Sequence, residues 1–456
     1  MVFILLAACV TRAAGSAGKD ASPNTPADES SVIIMLRNGP ADPLALSRAE
    51  TNRAGRARAV VSGLQAQANA AQPAVLAHLE QMRARGKVKQ IRPFWIINAV
   101  AVTVQTSSLA ELSALPGVAS VVPNRPLVLA DRVSPAQTSG TAANLEQIHA
   151  PEVWAKGYTG QGIVVANLDT GVSLDTPLAA NYRGGANSWY DVQGEYTTPY
   201  DPDGHGTATM SLMVGADYGV APGARWMAVK IFPSPASGAG ATDADAISGL
   251  QWVLAPNGDP SAAPDVVNNS WSADAIDPTQ PCADSAPMHA ALQALAAADI
   301  LPVFAAGNFG PSSPSAPVPS SYPEVVAVGA IGADNAIAAF SSRGPTNCRL
   351  AGSAFPDLSA PGVGVPFYSP SGGISYGSGT SFAAPHVAGA LAVLFSAFPH
   401  LSSATQRSIL LNSAADLGTP GVDDVYGYGR LDVLAMYNRM LQTEIFYLPM
   451  IASGAK

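Results

Sequence analysis

Charged side chains are scarce in this 456-residue chain. Asp, Glu, Lys and Arg make up 12% of the residues, against 48% that are hydrophobic. This balance excludes an intrinsically disordered chain and indicates an extensive core. The length allows one large domain or two to three smaller ones. A formal net charge of −9 argues against a nucleic acid as the main partner.

Long apolar runs and cysteines are also scarce. Beyond the N-terminus no run reaches the ~18 apolar residues that a membrane-spanning helix needs, so we expect no transmembrane helix. Of the three cysteines, Cys282 and Cys348 allow one disulfide bond in an exported protein. The sequence leaves open whether they form it or stay free thiols.

The first residues, Met1 to Cys9, resemble the end of an export signal without its basic start, which an upstream start would supply. We therefore expect a secreted or extracytoplasmic protein. The residues before Cys9 also resemble a lipoprotein cleavage box, so a lipid on Cys9 is the alternative to an ordinary cleaved signal. Residues 1–30 are interpreted as this truncated signal and a linker rich in Ala, Ser, Gly and Pro.

Basic residues are concentrated in one part of the chain. Residues 31–130 contain 11 Lys/Arg and 4 Asp/Glu, a charge of +7, whereas the other residues contain 13 and 29, a charge of −16. Such a division is expected of two pieces of one chain that bind each other.

The basic block has the pattern of a small α+β domain. Strand-like runs at 32–36, 94–104 and 118–122 alternate with helical patterns at 47–86 and 109–115. The run at 94–104 allows a division into two strands at Asn98. This order predicts a ferredoxin-like sheet with both helices on one face.

The rest of the chain alternates short apolar strands with helical patterns, which predicts an α/β fold with a mainly parallel sheet between helices. The predicted strands are residues 163–168, 226–232, 266–269, 300–305 and 325–328. In such a sheet, catalytic groups gather beyond the carboxyl ends of the strands. Residues 128–140 form a turn-rich connector between the two parts.

Ser381 lies in the segment Gly379-Thr380-Ser381-Phe382-Ala383-Ala384-Pro385, directly before an apolar run that predicts a buried helix. A helix N-terminus favours negative charge. Ser381 is therefore a candidate nucleophile whose own N–H helps to hold an oxyanion. A plain helix N-cap is the alternative interpretation.

Three further residues complement Ser381. Asp169 follows the strand at 163–168 and suits the task of holding a histidine in one tautomer. His205, between two glycines, suits a general base. Asn308 follows the strand at 300–305, and its amide could donate to the same oxyanion. Taken singly, each of them also fits a turn or a cap.

Together these segments resemble the catalytic signatures of the subtilisin-like serine proteases, the subtilases. Asp169-Thr170-Gly171, His205-Gly206-Thr207 and the Ser381 segment follow that family's order, supported by segments 219–224, 305–308 and 340–345. The resemblance covers residues 146–440. It implies a subtilisin-like three-layer fold and a serine endopeptidase that acts on proteins and peptides.

The resemblance also implies a role for each residue. Ser381 attacks the scissile carbonyl, His205 transfers the proton and Asp169 orients His205, while Asn308 and the Ser381 N–H hold the oxyanion.

The resemblance further implies which residues bind substrate. The segment Ser270, Trp271 and Ser272 would pair with an extended substrate backbone. Trp271 would either narrow the primary specificity pocket or simply pack. Ala305, Ala306 and Gly307 would line that pocket, and because this segment has no acidic residue we expect a broad or apolar preference.

Residues 31–127 resemble the inhibitory propeptide of the same family, on segments 98–102 and 115–126. The resemblance implies a domain that assists folding, inhibits the enzyme within the same chain and is then cut off by it. We expect this cut in the connector, residues 128–145, and specifically between 128 and 140. We also expect a monomer with a C-terminal tail at residues 441–456.

The sequence departs from the family pattern in places, and one departure concerns calcium. Ala208 stands where the family usually has a second histidine, and residues 215–219 are short where some members carry a calcium-binding loop. We expect no required cofactor, and a structural calcium has no assignable site. Asp191, Asp201 and Asp203 are interpreted as a solvated loop rather than a metal site, and His386 as packing inside its helix.

Other protein classes fit parts of the pattern. An aspartic protease also uses Asp-Thr-Gly but needs two such carboxylates, and the chain has one such segment, so it would require a homodimer. A serine-carboxyl peptidase would have an acid in place of His205. An inactive subtilase relative that serves as a binding module would usually lack a triad residue or Asn308.

Overall fold

The computed structural model describes residues 28–129, 143–273 and 287–442, except positions 38, 40 and 351. Residues 28–129 form an N-terminal unit, and residues 143–442 form an α/β unit around a seven-stranded sheet. Several predictions concern residues outside the described ones: the export signal, a lipid on Cys9, the connector from 130 to 142, Cys282 and the tail from 443. Cys348 is disulfide-bonded.

The N-terminal unit contains five strands and three helices. They are β1 (Glu29–Leu36), α1 (Pro43–Ser47), α2 (Arg53–Ala84), β2 (Val88–Phe94), β3 (Ala99–Gln105), α3 (Leu109–Ser113), β4 (Val118–Pro123) and β5 (Leu127–Leu129). Four of the strands form an antiparallel sheet in the order β2-β3-β1-β4. This is the predicted α+β arrangement.

Strand β1 shows why this sheet is apolar on both faces. Val32 and Ile34 pack with residues of α2 and α3 on one face, whereas Ile33 and Met35 pack on the other face into a core shared with the α/β unit. Because successive side chains of a strand point to opposite faces, one apolar run serves both cores.

The N-terminal unit differs from the prediction in three details. The helix expected at 47–86 begins only at Arg53, because Asn52 caps α2 by accepting a hydrogen bond from the Gly55 N–H, and the short helix α1 precedes it. The connector expected to start at 128 starts later, since Val128 and Leu129 belong to β5. The chain does divide near Asn98, which has φ +47°, but residues 95–98 form a turn and the first of the two strands, β2, lies earlier than expected.

The α/β unit contains the remaining elements. They are α4 (Ala143–Gln147), α5 (Ala150–Trp154), β6 (Val164–Asp169), β7 (Trp189–Asp191), α6 (His205–Val214), β8 (Arg225–Lys230), α7 (Asp243–Leu254), β9 (Val266–Asn269), β10 (Trp271–Ala273), α8 (Pro287–Ala297), β11 (Leu301–Ala305), β12 (Val326–Ile331), β13 (Leu358–Pro361), β14 (Val365–Tyr368), β15 (Ile374–Gly377), α9 (Thr380–Ala397), α10 (Ser403–Asn412) and a last helix that includes residues 433–442.

The seven-stranded sheet has the order β13-β12-β11-β9-β6-β8-β7, and all neighbouring strands are parallel. Helices α6 and α9 pack on one face of this sheet, and α7 and α8 pack on the other. The five predicted strands and the three-layer α/β fold are confirmed. Edge strands β7 and β13 were not predicted, because three or four residues carry too little periodicity.

Helix α9 is the one described helix that is long and apolar enough to cross a membrane, although 89% of it is buried inside the fold. Contrary to the sequence-based expectation, a segment therefore passes the length and hydropathy test. It does so because α9 is the central core helix, apolar on every side.

Candidate active site

Asp169 and His205 form a buried pair at the carboxyl edge of the sheet. Asp169 is the last residue of β6 and His205 the first of α6. The Nδ1–H of His205 donates to Oδ1 of Asp169 at 2.6 Å, and neither side chain is more than 2% exposed. With Nδ1 held by the carboxylate, Nε2 is the ring nitrogen that can take a proton.

Further hydrogen bonds fix the Asp169 carboxylate. Its Oδ1 accepts from the Thr170 N–H at 2.7 Å, and its Oδ2 accepts from the Thr209 hydroxyl at 3.2 Å. A carboxylate held in this way cannot rotate away from the imidazole, so the orientation of His205 is set by the backbone of two elements.

A glycine allows α6 to approach β6 closely. A Cβ atom at Gly206 would lie 2.1 Å from the Gly171 carbonyl oxygen and 3.1 Å from Cβ of Asp169. Since real Cβ contacts are not that short, any side chain at position 206 would push His205 away from Asp169.

The loop before His205 is organised by Asp201, a residue that we had interpreted as part of a solvated loop. That interpretation is wrong: Asp201 is buried. Its carboxylate accepts from the Gly204 N–H at 2.8 Å, and from the N–H and hydroxyl of Thr207 at 2.7 and 2.6 Å. It also accepts from the Thr170 hydroxyl at 2.9 Å. Burial raises the pKa of this carboxyl, and the hydrogen bonds oppose that effect.

The other two acidic residues of that expected loop differ from each other. Asp191 is buried and lies 3.6 Å from Nζ of Lys230, which also pairs with Glu195 at 2.5 Å. Asp203 is exposed. Among the residues that the structure describes, no group of three or more His, Cys, Asp or Glu side chains is arranged to hold a metal ion.

Ser381 lies in the first turn of α9 and is fully buried. Two contacts place it next to the other predicted residues. The Ser270 hydroxyl donates to the Ser381 carbonyl oxygen at 2.8 Å, and the ring of Phe382 lies 5.9 Å from that of His205. The nucleophile candidate, the histidine and the start of β10 therefore meet at one edge of the sheet.

Asn308 is joined to the same helix end through Thr380. Oδ1 of Asn308 accepts from the Thr380 N–H at 3.0 Å and from its hydroxyl at 2.8 Å. The Gly307 N–H donates to the Thr380 hydroxyl at 3.1 Å. Because the amide oxygen is held at Thr380, the orientation of the Asn308 amide is fixed, with Nδ2 as its donor.

The residues expected to bind substrate are all buried: Ser270, Trp271, Ser272, Ala305, Ala306 and Gly307. Trp271 packs edge-on against Phe304, with ring centroids 5.2 Å apart. Gly307 has φ +99°, and a Cβ there would lie 2.6 Å from Pro317, so a glycine is required at this end of β11.

Sequence reasoning missed a chain of buried polar side chains beneath the site. Nδ2 of Asn268 donates to Oδ1 of Asn167 and to the Ser270 hydroxyl, both at 2.9 Å, and Asn167 donates to the Gly206 carbonyl at 3.1 Å. The only sequence signal is that polar residues interrupt the apolar runs of β6 and β9. Through Ser270, this chain connects the Ser381 carbonyl with the Gly206 carbonyl.

His386 is confirmed as a packing residue. It is fully buried, its Nδ1–H donates to the Phe382 carbonyl at 2.8 Å, and its Nε2 accepts from Asn144 at 2.8 Å. Burial lowers the pKa of His386 to about 4, so the imidazole is neutral at physiological pH.

The profile of the subtilase family matches residues 160–429, more than half of the chain. This stretch includes Asp169, His205, Asn308 and Ser381. The chain belongs to the subtilase family. Subtilases are serine endopeptidases, and the paired Asp169 and His205 with a buried serine at a helix start are the arrangement that such an enzyme needs.

Several named subtilases resemble this chain. Bacillopeptidase F of Bacillus subtilis (strain 168) is 37% identical over 426 residues, which cover 84% of this chain and 29% of that protein. Subtilisin E of the same organism is 33% identical over 77% of this chain and 83% of its own length. Subtilisin of Bacillus pumilus is 35% identical over 64% of this chain and 96% of its own length. The chain thus spans under a third of Bacillopeptidase F but most of the subtilisins.

Proposed function

We propose that this subtilase is an exported serine endopeptidase that is made as an inhibited precursor and processes itself. The observation that carries the proposal is the hydrogen bond between Asp169 and His205, close to the helix whose first turn contains Ser381. In the reaction, the Ser381 hydroxyl attacks the scissile carbonyl while Nε2 of His205 takes its proton. His205 then returns that proton to the leaving amine, and water hydrolyses the acyl-enzyme.

Stabilisation of the oxyanion falls to Asn308 and the backbone of Ser381. The orientation of the Asn308 amide, fixed through Thr380, supports this role because preorganised donors need not reorient during the reaction. The Ser381 N–H lies in the first turn of α9, where the helix dipole adds to the effect.

The N-terminal unit would act as the inhibitor. Strand β5 pairs antiparallel with β10, and Leu129, Val128 and Leu127 lie opposite Trp271, Ser272 and Ala273. An added strand on β10 is the mode in which an extended peptide substrate would bind. The N-terminal unit therefore occupies the place that a substrate needs.

The direction of β5 supports self-cleavage in the connector. The strand ends at Leu129, which lies opposite Trp271. Because β5 and β10 are antiparallel, the chain leaves β5 in the direction of Ser270, whose hydroxyl contacts the Ser381 carbonyl. The chain thus runs toward the nucleophile as it leaves β5. We infer that the cut falls within residues 130–142, near the beginning of that range.

Two unlike forces would hold the N-terminal unit in place. Its sheet shares an apolar core with α7 and α8. Four arginines of the unit also pair with four aspartates of the α/β unit: Arg53 with Asp265, Arg56 with Asp299, Arg92 with Asp245, and Arg125 with Asp243. The opposite charges of the two parts of the chain therefore meet at their interface.

The segment Ala305, Ala306 and Gly307 supports a broad or apolar primary specificity, because it offers a substrate side chain no charge. Trp271 contributes to this site through packing against Phe304. The proposal includes secretion and a monomeric mature enzyme, as for a protease that is released after processing.

Self-processing tests the proposal directly. The wild-type 46.4 kDa chain should convert to a shorter form whose N-terminus falls within residues 130–143, and this form should hydrolyse casein. Ser381→Ala should remain at full length. Ser396→Ala, a change in the same helix that removes a hydroxyl donating to the Val393 carbonyl, should process normally. A folded wild-type protein that never processes and never cleaves casein would instead support a binding module.

A further inference from the structure

The segment from Arg125 to Leu129 lies between residues 241–243 on one side and β10 on the other. On one side Leu127 donates its N–H to the Ala241 carbonyl at 2.8 Å, and Asp243 donates its N–H to the Arg125 carbonyl at 2.9 Å. On the other side β5 pairs with β10. Any extended peptide in this slot makes the same backbone hydrogen bonds, so the side-chain contacts decide which peptide fits best.

Leu127 fills an apolar position in the slot. It is buried in the core that also contains Trp271, Ala241 and Ala273. Two residues before Leu127 the slot is polar, because Arg125 contacts the carboxylate of Asp243 there.

The Arg125 side chain lies in a built polar pocket. Its Nε–H donates to Oδ2 of Asp243 at 2.8 Å, and the phenol of Tyr322 lies close to the guanidinium. Asp243 is 2% exposed and Tyr322 is buried, whereas the Arg125 side chain is 37% exposed. His289 stacks on Tyr322 at 4.4 Å between ring centroids and pairs with Glu324 at 2.9 Å, so the floor of the pocket is rigidly held.

Asp243 depends on a cation from outside the α/β unit. Within the described part of the chain its ion-pair partner is Arg125, and its Oδ1 is buried without a hydrogen-bond partner. When the N-terminal unit leaves, this carboxylate loses its described positive partner. A guanidinium from another peptide would restore the charge-assisted hydrogen bond.

We propose that Asp243 and Tyr322 form a subsite for an arginine of an extended substrate, two residues before an apolar side chain in the position of Leu127. This inference rests on the proposed endopeptidase function and names a second determinant of its specificity. Arginine fits better than lysine, because the observed contact uses Nε of a planar guanidinium, a donor that lysine lacks.

Peptide amides of residues 122–129 test the subsite as competitive inhibitors of the mature, self-processed enzyme. Three peptides carry arginine, citrulline or alanine at position 125. Citrulline keeps the shape and the Nε–H but removes the charge. We expect the inhibition constant to rise roughly 10-fold or more from arginine to citrulline, and further for alanine, as for a lost charged hydrogen bond. Equal inhibition constants for arginine and alanine would overturn the proposal.

Two variants locate the effect. In Asp243→Asn the arginine and citrulline peptides should inhibit equally. Ser248→Ala is the control on the same helix: its hydroxyl accepts from Arg92 at 3.3 Å and donates to the Ala244 carbonyl at 2.8 Å, so the arginine preference should persist. If Asp243→Asn does not mature, the inhibition constants of the three peptides on the wild-type enzyme test the proposal alone. An enzyme that cleaves casein without any arginine preference would refute the subsite and leave the proposed function intact.

Discussion

Salt should weaken the hold of the N-terminal unit on the mature enzyme. Four arginine–aspartate pairs join the two parts, and the arginine side chains are between 23% and 38% exposed. The arginine side of every pair is therefore accessible to ions of the solution. The perturbation is an increase of sodium chloride from about 0.1 M to about 1 M, over which the screening length falls from about 10 Å to about 3 Å.

The size of the effect follows from the pairs. Ion pairs with this exposure contribute about 0.2–1 kcal/mol each, so the four contribute roughly 1–4 kcal/mol. When the screening length falls close to the contact distance, about half of this interaction free energy is lost, or roughly 0.5–2 kcal/mol. At about 1.4 kcal/mol for each factor of ten, the inhibition constant should rise about 2- to 30-fold.

The assay measures casein hydrolysis by the mature enzyme in the presence of its released N-terminal unit at several salt concentrations. Arg53→Gln should flatten the salt dependence, because it removes one pair. Arg83→Gln should not, since Arg83 pairs with Glu80 on its own helix. An inhibition constant that does not change with salt would refute the electrostatic part of the account and leave the shared apolar core as the sole attraction.

Three further predictions concern buried and catalytic groups. Because burial lowers the pKa of His386 to about 4, the unfolded chain binds a proton below about pH 6.5 while the folded chain does not. The unfolding free energy of the inactive Ser381→Ala protein should therefore fall as the pH drops from about 6.5 to 4, by roughly 3 kcal/mol. His386→Gln should abolish this part of the pH dependence in urea unfolding, and an unchanged slope would contradict it. Asp201→Asn should reduce kcat roughly 10- to 100-fold, because its N–H₂ replaces one acceptor oxygen and loses the hydrogen bonds of that oxygen, either from Gly204 and Thr170 or from Thr207, whereas the exposed Asp175→Asn should act like the wild type. Finally, kcat/KM should fall as the pH is lowered through the range in which an imidazole binds a proton, and a flat profile from pH 5 to 9 would exclude His205 as the base.

The sequence predicts, for a physical reason, which of its motifs the fold brings to one edge of the sheet. Asp169, Asn308 and the segment before Ser381 each stand directly beside an apolar run, and the ends of parallel strands meet at one edge. The position of a short motif next to a buried strand therefore predicts where that motif lies in the fold. The order of the motifs along the chain then indicates the protein family.

The supporting residues could not be predicted in the same way. In the sequence, Asp201 is one of several acidic residues of a loop. Only folding brings the hydroxyl groups of Thr170 and Thr207 to its carboxylate. Thr380 lies next to Ser381, but its bond to Asn308 spans 72 positions. Roles of this kind depend on contacts distant in sequence, for which a single chain carries no local pattern.

The continuation of β5 into residues 128 and 129 was also unpredictable. A three-residue strand has little intrinsic preference, and this one forms because β10 and the chain at residue 241 offer backbone partners on both sides. From its sequence alone this segment resembles a connector. It becomes a strand only through its backbone pairing with β10 and the chain at residue 241.

Labelling with a fluorophosphonate tests the central claim most directly, because such a reagent reacts with a serine that a neighbouring base activates. The mature wild-type enzyme should incorporate one label, and mass spectrometry of its peptides should locate it on Ser381. Ser381→Ala, and His205→Ala with its serine intact, should remain unlabelled. A folded, mature wild-type protein without label, or with the label on another serine, would contradict the assignment of Ser381, His205 and Asp169 as the catalytic triad.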